Sequence, residues 1–168
     1  PAPFQQGGPP MWVGGRSIAA MRRAALLADG YIPHFLSPQA FSQAREQIAG
    51  YADEAGRDIS KFGWGAMVFL GIGDDKKTAQ ARASVILKPI ARHMENIFRK
   101  PFEELIQEPA FILGSREECL EGLQRYKWAG VEHLTFWPFP REGQPLFDYL
   151  AECATEILPT LHHDATFM

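Results

Sequence analysis

The sequence has few cysteines, no long apolar run and no excess of one charge. Two cysteines in 168 residues cannot form a disulfide framework, so we expect a protein of the reducing cytoplasm. The longest apolar stretch, residues 62–72, is too short to cross a bilayer and is bounded by Lys61 and Asp74. The 17 basic and 20 acidic residues are interspersed, which leaves no basic face for a phosphate backbone. The sequence therefore predicts neither a membrane-spanning segment nor a nucleic-acid partner.

The usual motifs of targeting and catalysis are also missing. The chain does not open with a charged region followed by an apolar one, so a secretion signal is not expected. It contains no nucleophile elbow, Walker loop, H-E-x-x-H pair or dinucleotide fingerprint. His162 and His163 have no third ligand at a recognisable spacing, so no metal site is predicted. Any chemistry must then be supplied by a cofactor.

Predicted strands and helices alternate along the chain. With 46% hydrophobic residues, the chain can bury the core of one domain, which we assign to residues 1–168. A helix follows each of four predicted strands, which cover residues 11–13, 31–32, 62–72 and 131–137. Residues 90–112 are interpreted as a helical insertion before the last unit. This order predicts an α/β fold with parallel strands, and it leaves open whether they form a barrel or a flavodoxin-type open sheet.

Polar residues mark where the helices begin. Three residues stand directly before helical patterns and are predicted to cap them: Ser17, Ser37 and either Asp74 or Asp75. Residues 115–118 match a capping box, in which the first and last side chains bond each other's backbone amides. The last helix is predicted to end at Pro159, since proline lacks an N–H group.

A double-glycine turn is the strongest candidate for a binding site. Gly14 and Gly15 have no Cβ atoms, so the backbone can bend sharply between the first strand and the first helix. Ser17 begins that helix, whose first amides carry partial positive charge, and Arg16 adds a guanidinium group. The pattern predicts a phosphate cradle. The alternative is an ordinary strand-to-helix turn with no ligand.

Two further residues are candidates for contact with a substrate. His34 follows the second strand, at the edge where parallel barrels place their chemistry. Its alternative is an exposed loop histidine. Trp137 ends the last predicted strand and could form a wall of the pocket, although ordinary core packing would also explain it. His34 is the one candidate for a catalytic residue, and no other is predicted.

Structural roles are favoured for the remaining reactive residues. Cys119 and Cys153 lie on apolar helix faces, so we expect both thiols to be packed and unreactive. Arg22 and Arg23 form the solvated stripe of the first helix, with a phosphate contact as the alternative. Asp29 is expected to orient the turn that follows it.

Two segments resemble the bacterial luciferase-like, flavin-dependent oxidoreductases. The run PPMWVGGRSIAAMRRAALLADGYI at residues 9–32 is similar to the family's strand, double-glycine turn, Ala- and Arg-containing helix and Asp-Gly-Trp/Tyr-Ile segment. Residues 112–119 and 129–134 resemble the family's passage before its final strand. The resemblance implies a (β/α)8 barrel of TIM type and an oxidoreductase of the monooxygenase kind acting on a small organic substrate. It further implies FMN or the deazaflavin coenzyme F-420, bound through its phosphate at Gly14, Gly15, Arg16 and Ser17.

The length of the chain modifies what the resemblance implies. A complete barrel of this type needs about 250 residues, so we expect this chain to be the C-terminal half, with strands five to eight. The alternative function is a non-catalytic half-barrel fragment. Such a fragment would self-associate as a homo-oligomer, or would need its N-terminal half for activity, because its open strand edges and apolar inner face require cover.

Overall fold

The computed structural model describes residues 4, 5 and 8–163, with five strands and eight α-helices in that part of the chain. In chain order these are β1 (Trp12–Val13), α1 (Ile18–Leu27), β2 (Gly30–Tyr31), α2 (Pro38–Glu54), β3 (Gly63–Ile72), α3 (Lys76–Leu87), α4 (Ala91–Phe98), α5 (Phe102–Leu105), β4 (Phe111–Gly114), α6 (Arg116–Trp128), β5 (His133–Pro138), α7 (Leu146–Glu152) and α8 (Leu158–His163). None of the helices in the described residues is both long and apolar enough to span a bilayer.

The described residues fall into two compact units. The first comprises residues up to 67 together with 129–135, and the second comprises 68–128 and the residues from 136 onward. Both β3 and β5 contribute residues to each unit. In the first unit β1 pairs with β2, and β2 pairs with the start of β3. In the second unit the end of β3 pairs with β4. All of these pairs are parallel, which confirms the predicted α/β class.

The helix starts follow the sequence signals. The side chains of Ser17, Ser37 and Asp75 each accept a hydrogen bond from the backbone N–H three residues later. These bonds satisfy amides that the first turn of a helix leaves without a partner. In the predicted capping box, the Glu118 carboxylate accepts the N–H of Ser115 at 2.8 Å, and the Ser115 hydroxyl accepts the N–H of Glu118 at 3.3 Å.

The region interpreted as an insertion ends in a strand that the sequence did not predict. Residues 90–112 contain α4 and α5, but Phe111 and Ile112 begin β4. All four residues of β4 are buried, and its register places Phe111 beside Phe69 of β3. A four-residue apolar run cannot be distinguished from a buried helical turn by periodicity alone. Pairing with β3 decides its conformation.

The C-terminal helix does not stop at Pro159 as predicted. Residues Cys153–Ile157 form a π-helical segment, and α8 then continues from Leu158 through Pro159 to His163. A proline inside a helix removes one N–H and crowds the carbonyl four residues earlier. The wider π-helical segment ends two residues before Pro159 and contains the carbonyl of Thr155, which lies four residues before the proline, so the helix is widened where the proline needs space. The proline therefore reshapes this helix without ending it.

Three glycines in the first unit make room for one tryptophan ring. The indole of Trp12 lies against Gly30 of β2 and against Gly63 and Gly65 of β3. A Cβ atom on Gly30 would lie 2.5 Å from the ring, closer than real Cβ atoms approach. The ring of His133 meets Trp12 edge to face, with centroids 5.2 Å apart. These glycines of β2 and β3 allow the strands to pack closely around the ring of Trp12.

Candidate functional site

The double-glycine turn, residues 14–17, connects β1 to α1. Gly15 has a φ of +102°, and a Cβ at this position would also lie 3.0 Å from the Cβ of Ala20. A Cβ on Gly14 would lie 3.2 Å from the carbonyl oxygen of Ile32. The bend thus requires glycine at position 15 for conformation, and it favours glycine at position 14 for space.

The outer side of the turn is open to solvent. Gly14, Arg16 and Ser17 are all exposed, so no packed side chains seal the bend. The Ser17 hydroxyl caps α1 by accepting the N–H of Ala20 at 3.2 Å. The first turn of α1 has no acidic residue, so no carboxylate there offsets the positive end of the helix dipole. The arrangement fits an anion such as a phosphate group.

A buried tyrosine that the sequence analysis missed supports the turn from the inside. The hydroxyl of Tyr31 donates a hydrogen bond to the carbonyl oxygen of Gly15 at 2.7 Å. Tyr31 is fully buried and stacks on Phe41, with ring centroids 6.4 Å apart. Burial raises the pKa of Tyr31 to about 12, against a smaller opposing effect of the Arg16 charge. The hydroxyl therefore remains a donor at neutral pH.

His34, the candidate for contact with a substrate, lies in the same compact unit as the turn. It follows β2, forms an isolated parallel bridge with Met67, and is exposed to solvent. Its ring meets the ring of Phe35 edge to face at 5.3 Å. Partial burial, and secondarily the positive charge of Arg16, lower the pKa of His34 below its ordinary value. At neutral pH the imidazole is uncharged, so it can donate one hydrogen bond and accept another.

Trp137 belongs to the second unit. It lies on β5, 52% of its surface is exposed, and its ring is 6.1 Å from the ring of Phe69. This exposure is more than ordinary core packing would leave. A role in substrate contact stays a prediction.

The sequence comparisons decide the family. A model of the luciferase-like monooxygenases matches residues 1–133, which include the double-glycine turn, Tyr31 and His34. The chain belongs to this family. Among curated protein sequences, none matches the chain significantly.

Solved structures of similar fold extend the comparison. One is the coenzyme F-420 dependent tetrahydromethanopterin reductase of Methanopyrus kandleri, with a TM-score of 0.64 and 18% identity over 90% of this chain and 50% of that one. Another is the oxygenating constituent of 3,6-diketocamphane monooxygenase of Pseudomonas putida, solved with FMN, with a TM-score of 0.67 and 20% identity over 90% and 49%. A third is a monooxygenase of Streptomyces bottropensis, with a TM-score of 0.70 and 14% identity over 96% and 51%. This luciferase-like chain therefore spans about half the length of these structures.

The cysteines of this luciferase-like chain are packed thiols. Cys119 and Cys153 are both buried and unbridged. The Sγ atom of Cys119 lies 3.7 Å from the carbonyl oxygens of Gly71 and Gly114. Burial raises the pKa of Cys119 to about 12, so this thiol is not a nucleophile at neutral pH.

Other charged residues of the chain have structural partners. The Asp29 carboxylate accepts the N–H of Met11 at 2.7 Å, and the Asp29 N–H donates to the Met11 carbonyl at 2.7 Å, so Asp29 ties the start of β1 in place. The guanidinium of Arg22 lies 5.0 Å from the ring centre of Tyr51. Among the described residues, no cluster of three or more His, Cys, Asp or Glu side chains could hold a metal. The side chains of His162 and His163 lie outside the described residues.

Proposed function

We propose that the double-glycine turn binds the phosphate of FMN or of the deazaflavin coenzyme F-420. The observation that best supports this proposal is the exposed bend, in which Gly15 has a positive φ. Arg16 follows Gly15 in the chain, and Ser17 then caps the start of α1. Backbone amides at such a bend and the dipole of α1 favour an anion, and a guanidinium adds charge-assisted hydrogen bonds. Some relatives of similar fold are described as F-420 dependent or were solved with FMN, which supports a cofactor of this class.

The proposed reaction is a flavin- or deazaflavin-dependent oxidation or reduction of a small organic substrate. The cofactor ring supplies the redox chemistry when it is bound, and the residues of the chain hold and orient it. We propose His34 as a contact to the ring or the substrate, because its imidazole is uncharged at neutral pH and can both donate and accept a hydrogen bond. Trp137 is a second proposed substrate contact, on β5. The activity of the whole protein is also part of this proposal, because the chain spans only about half the length of the similar structures.

The proposal is tested by comparing cofactors with and without phosphate. We expect the chain to bind FMN more tightly than riboflavin, or F-420 more tightly than its phosphate-free chromophore, in a titration followed by absorbance or calorimetry. The Arg16→Ala variant should weaken binding of the phosphate form by roughly 10-fold, and should leave the phosphate-free form unchanged.

The matched control is Arg92→Ala, which removes an exposed guanidinium from α4 and should leave both affinities unchanged. Equal binding of the phosphate and phosphate-free forms, or no binding of either at high micromolar concentration, would refute the proposed site. If only one of the two phosphate forms binds more tightly than its phosphate-free counterpart, that form identifies the cofactor as FMN or as F-420.

A further inference from the structure

Tyr31 is placed to control the direction of a peptide group in the double-glycine turn. Its hydroxyl holds the carbonyl oxygen of Gly15 at 2.7 Å, and its side chain is fully buried. The carbonyl of Gly15 therefore points inward. A trans peptide unit is planar, so its N–H points opposite to its C=O. The N–H in this unit belongs to Arg16, and it is consequently directed away from the buried Tyr31 side.

The outward direction is the direction from which an anion must arrive. Gly14, Arg16 and Ser17 are exposed, whereas Tyr31 and Phe41 close the inner side. Gly15 has a φ of +102°, and glycine alone would leave this peptide free to rotate. The hydrogen bond from Tyr31 removes that freedom. A preorganised donor binds its ligand without first paying the entropy of being ordered.

We propose that Tyr31 is a positioning residue for the phosphate site, acting through the Gly15 carbonyl to aim the Arg16 N–H at the bound phosphate. Tyr31 touches neither the phosphate nor the reacting atoms. This inference rests on the proposed function of the double-glycine turn. The effect of Tyr31 is confined to the phosphate contribution to binding, and contacts to the rest of the cofactor do not depend on it.

The Tyr31→Phe variant removes the hydroxyl and keeps the ring that stacks on Phe41. We expect the ratio of FMN to riboflavin affinity to fall on the order of 5-fold, with riboflavin affinity unchanged. If the wild type discriminates the F-420 pair instead, that pair is used in the same way. If Tyr31 only stabilised the fold, its loss would lower both affinities together. The ratio of FMN to riboflavin affinity therefore distinguishes a positioning role from a purely structural one.

The matched control is Tyr149→Phe in the second unit. Tyr149 is also fully buried, and its hydroxyl donates to the backbone carbonyl of Leu70 at 2.8 Å. Its loss should reduce stability as much as the loss of the Tyr31 hydroxyl, and should leave the affinity ratio unchanged.

Three results would overturn the inference. A Tyr31→Phe protein that keeps the wild-type ratio refutes the role of Tyr31 and leaves the proposed function standing. A parallel loss of both affinities assigns Tyr31 to structure alone. A wild type that does not discriminate either cofactor pair refutes the proposed function, and the role of Tyr31 with it.

Discussion

At the scale of single residues, the shape of the candidate site depends on Gly15. Its positive φ is costly for any residue with a Cβ, and the Cβ of Ala20 leaves little space for one. Gly143 offers a comparison, because it also has a positive φ, +73°, but has no atom within 4 Å of where its Cβ would lie. Alanine substitutions at these two positions can therefore separate the cost of backbone strain from the cost of steric crowding.

The Gly15→Ala variant should be the more costly of the two. We expect it to lower the free energy of unfolding by about 2–3 kcal/mol, from strain and from contact with Ala20 together, as measured by urea denaturation. Gly143→Ala should cost only about 1 kcal/mol, because strain alone applies there. A Gly15→Ala protein no less stable than Gly143→Ala would show that the turn is not held in the described conformation.

Elements whose signals are local could be predicted from the sequence. Ser17, Ser37 and Asp75 cap helices through bonds to residues three positions away, so the pattern alone locates those starts. The double-glycine turn is local in the same sense. By contrast, β4 is a strand because it pairs with the end of β3, about 40 residues earlier in the chain, and that partner is not visible in a short apolar run.

Contacts between distant residues could not be predicted. The guanidinium of Arg57 donates to the carbonyl oxygens of Ala24, Ala25 and Ala28, where α1 ends without a basic residue of its own. This closes the C-terminal end of α1 from a position about 30 residues away. Tyr31 supports Gly15 in the same non-local way. The exposed residues 14–17 of the candidate site could therefore be predicted from the sequence, whereas the buried Tyr31 that holds Gly15 is found only in the structure.

At the scale of the whole molecule, the chain matches about half of the barrels it resembles. Met67 of β3 is 40% exposed although its neighbours Ala66 and Val68 are almost completely buried. Successive strand residues point to opposite faces, so Met67 lies on the face of β3 that is open to solvent, where burial against protein would stabilise it. We propose that this chain associates with a second copy of itself or with the other half of such a barrel.

Light scattering tests this association. We expect the wild type to exceed the mass of a monomer, and Met67→Lys to shift it toward the monomer, because a charge cannot be buried in the apolar contact. Ile97→Lys is the control, since Ile97 is 50% exposed on α4 rather than on a strand. A wild type that is strictly monomeric at high micromolar concentration would contradict self-association.

The proposed function depends on the double-glycine turn binding the phosphate of a flavin-type cofactor. Amide NMR spectra recorded with FMN and with riboflavin test it residue by residue. We predict that the amide signals of residues 14–17 shift with FMN and not with equimolar riboflavin, with F-420 and its phosphate-free chromophore as the corresponding pair. Phosphate-dependent shifts that leave these four amides unchanged and cluster elsewhere in the chain would rule out phosphate binding at the double-glycine turn.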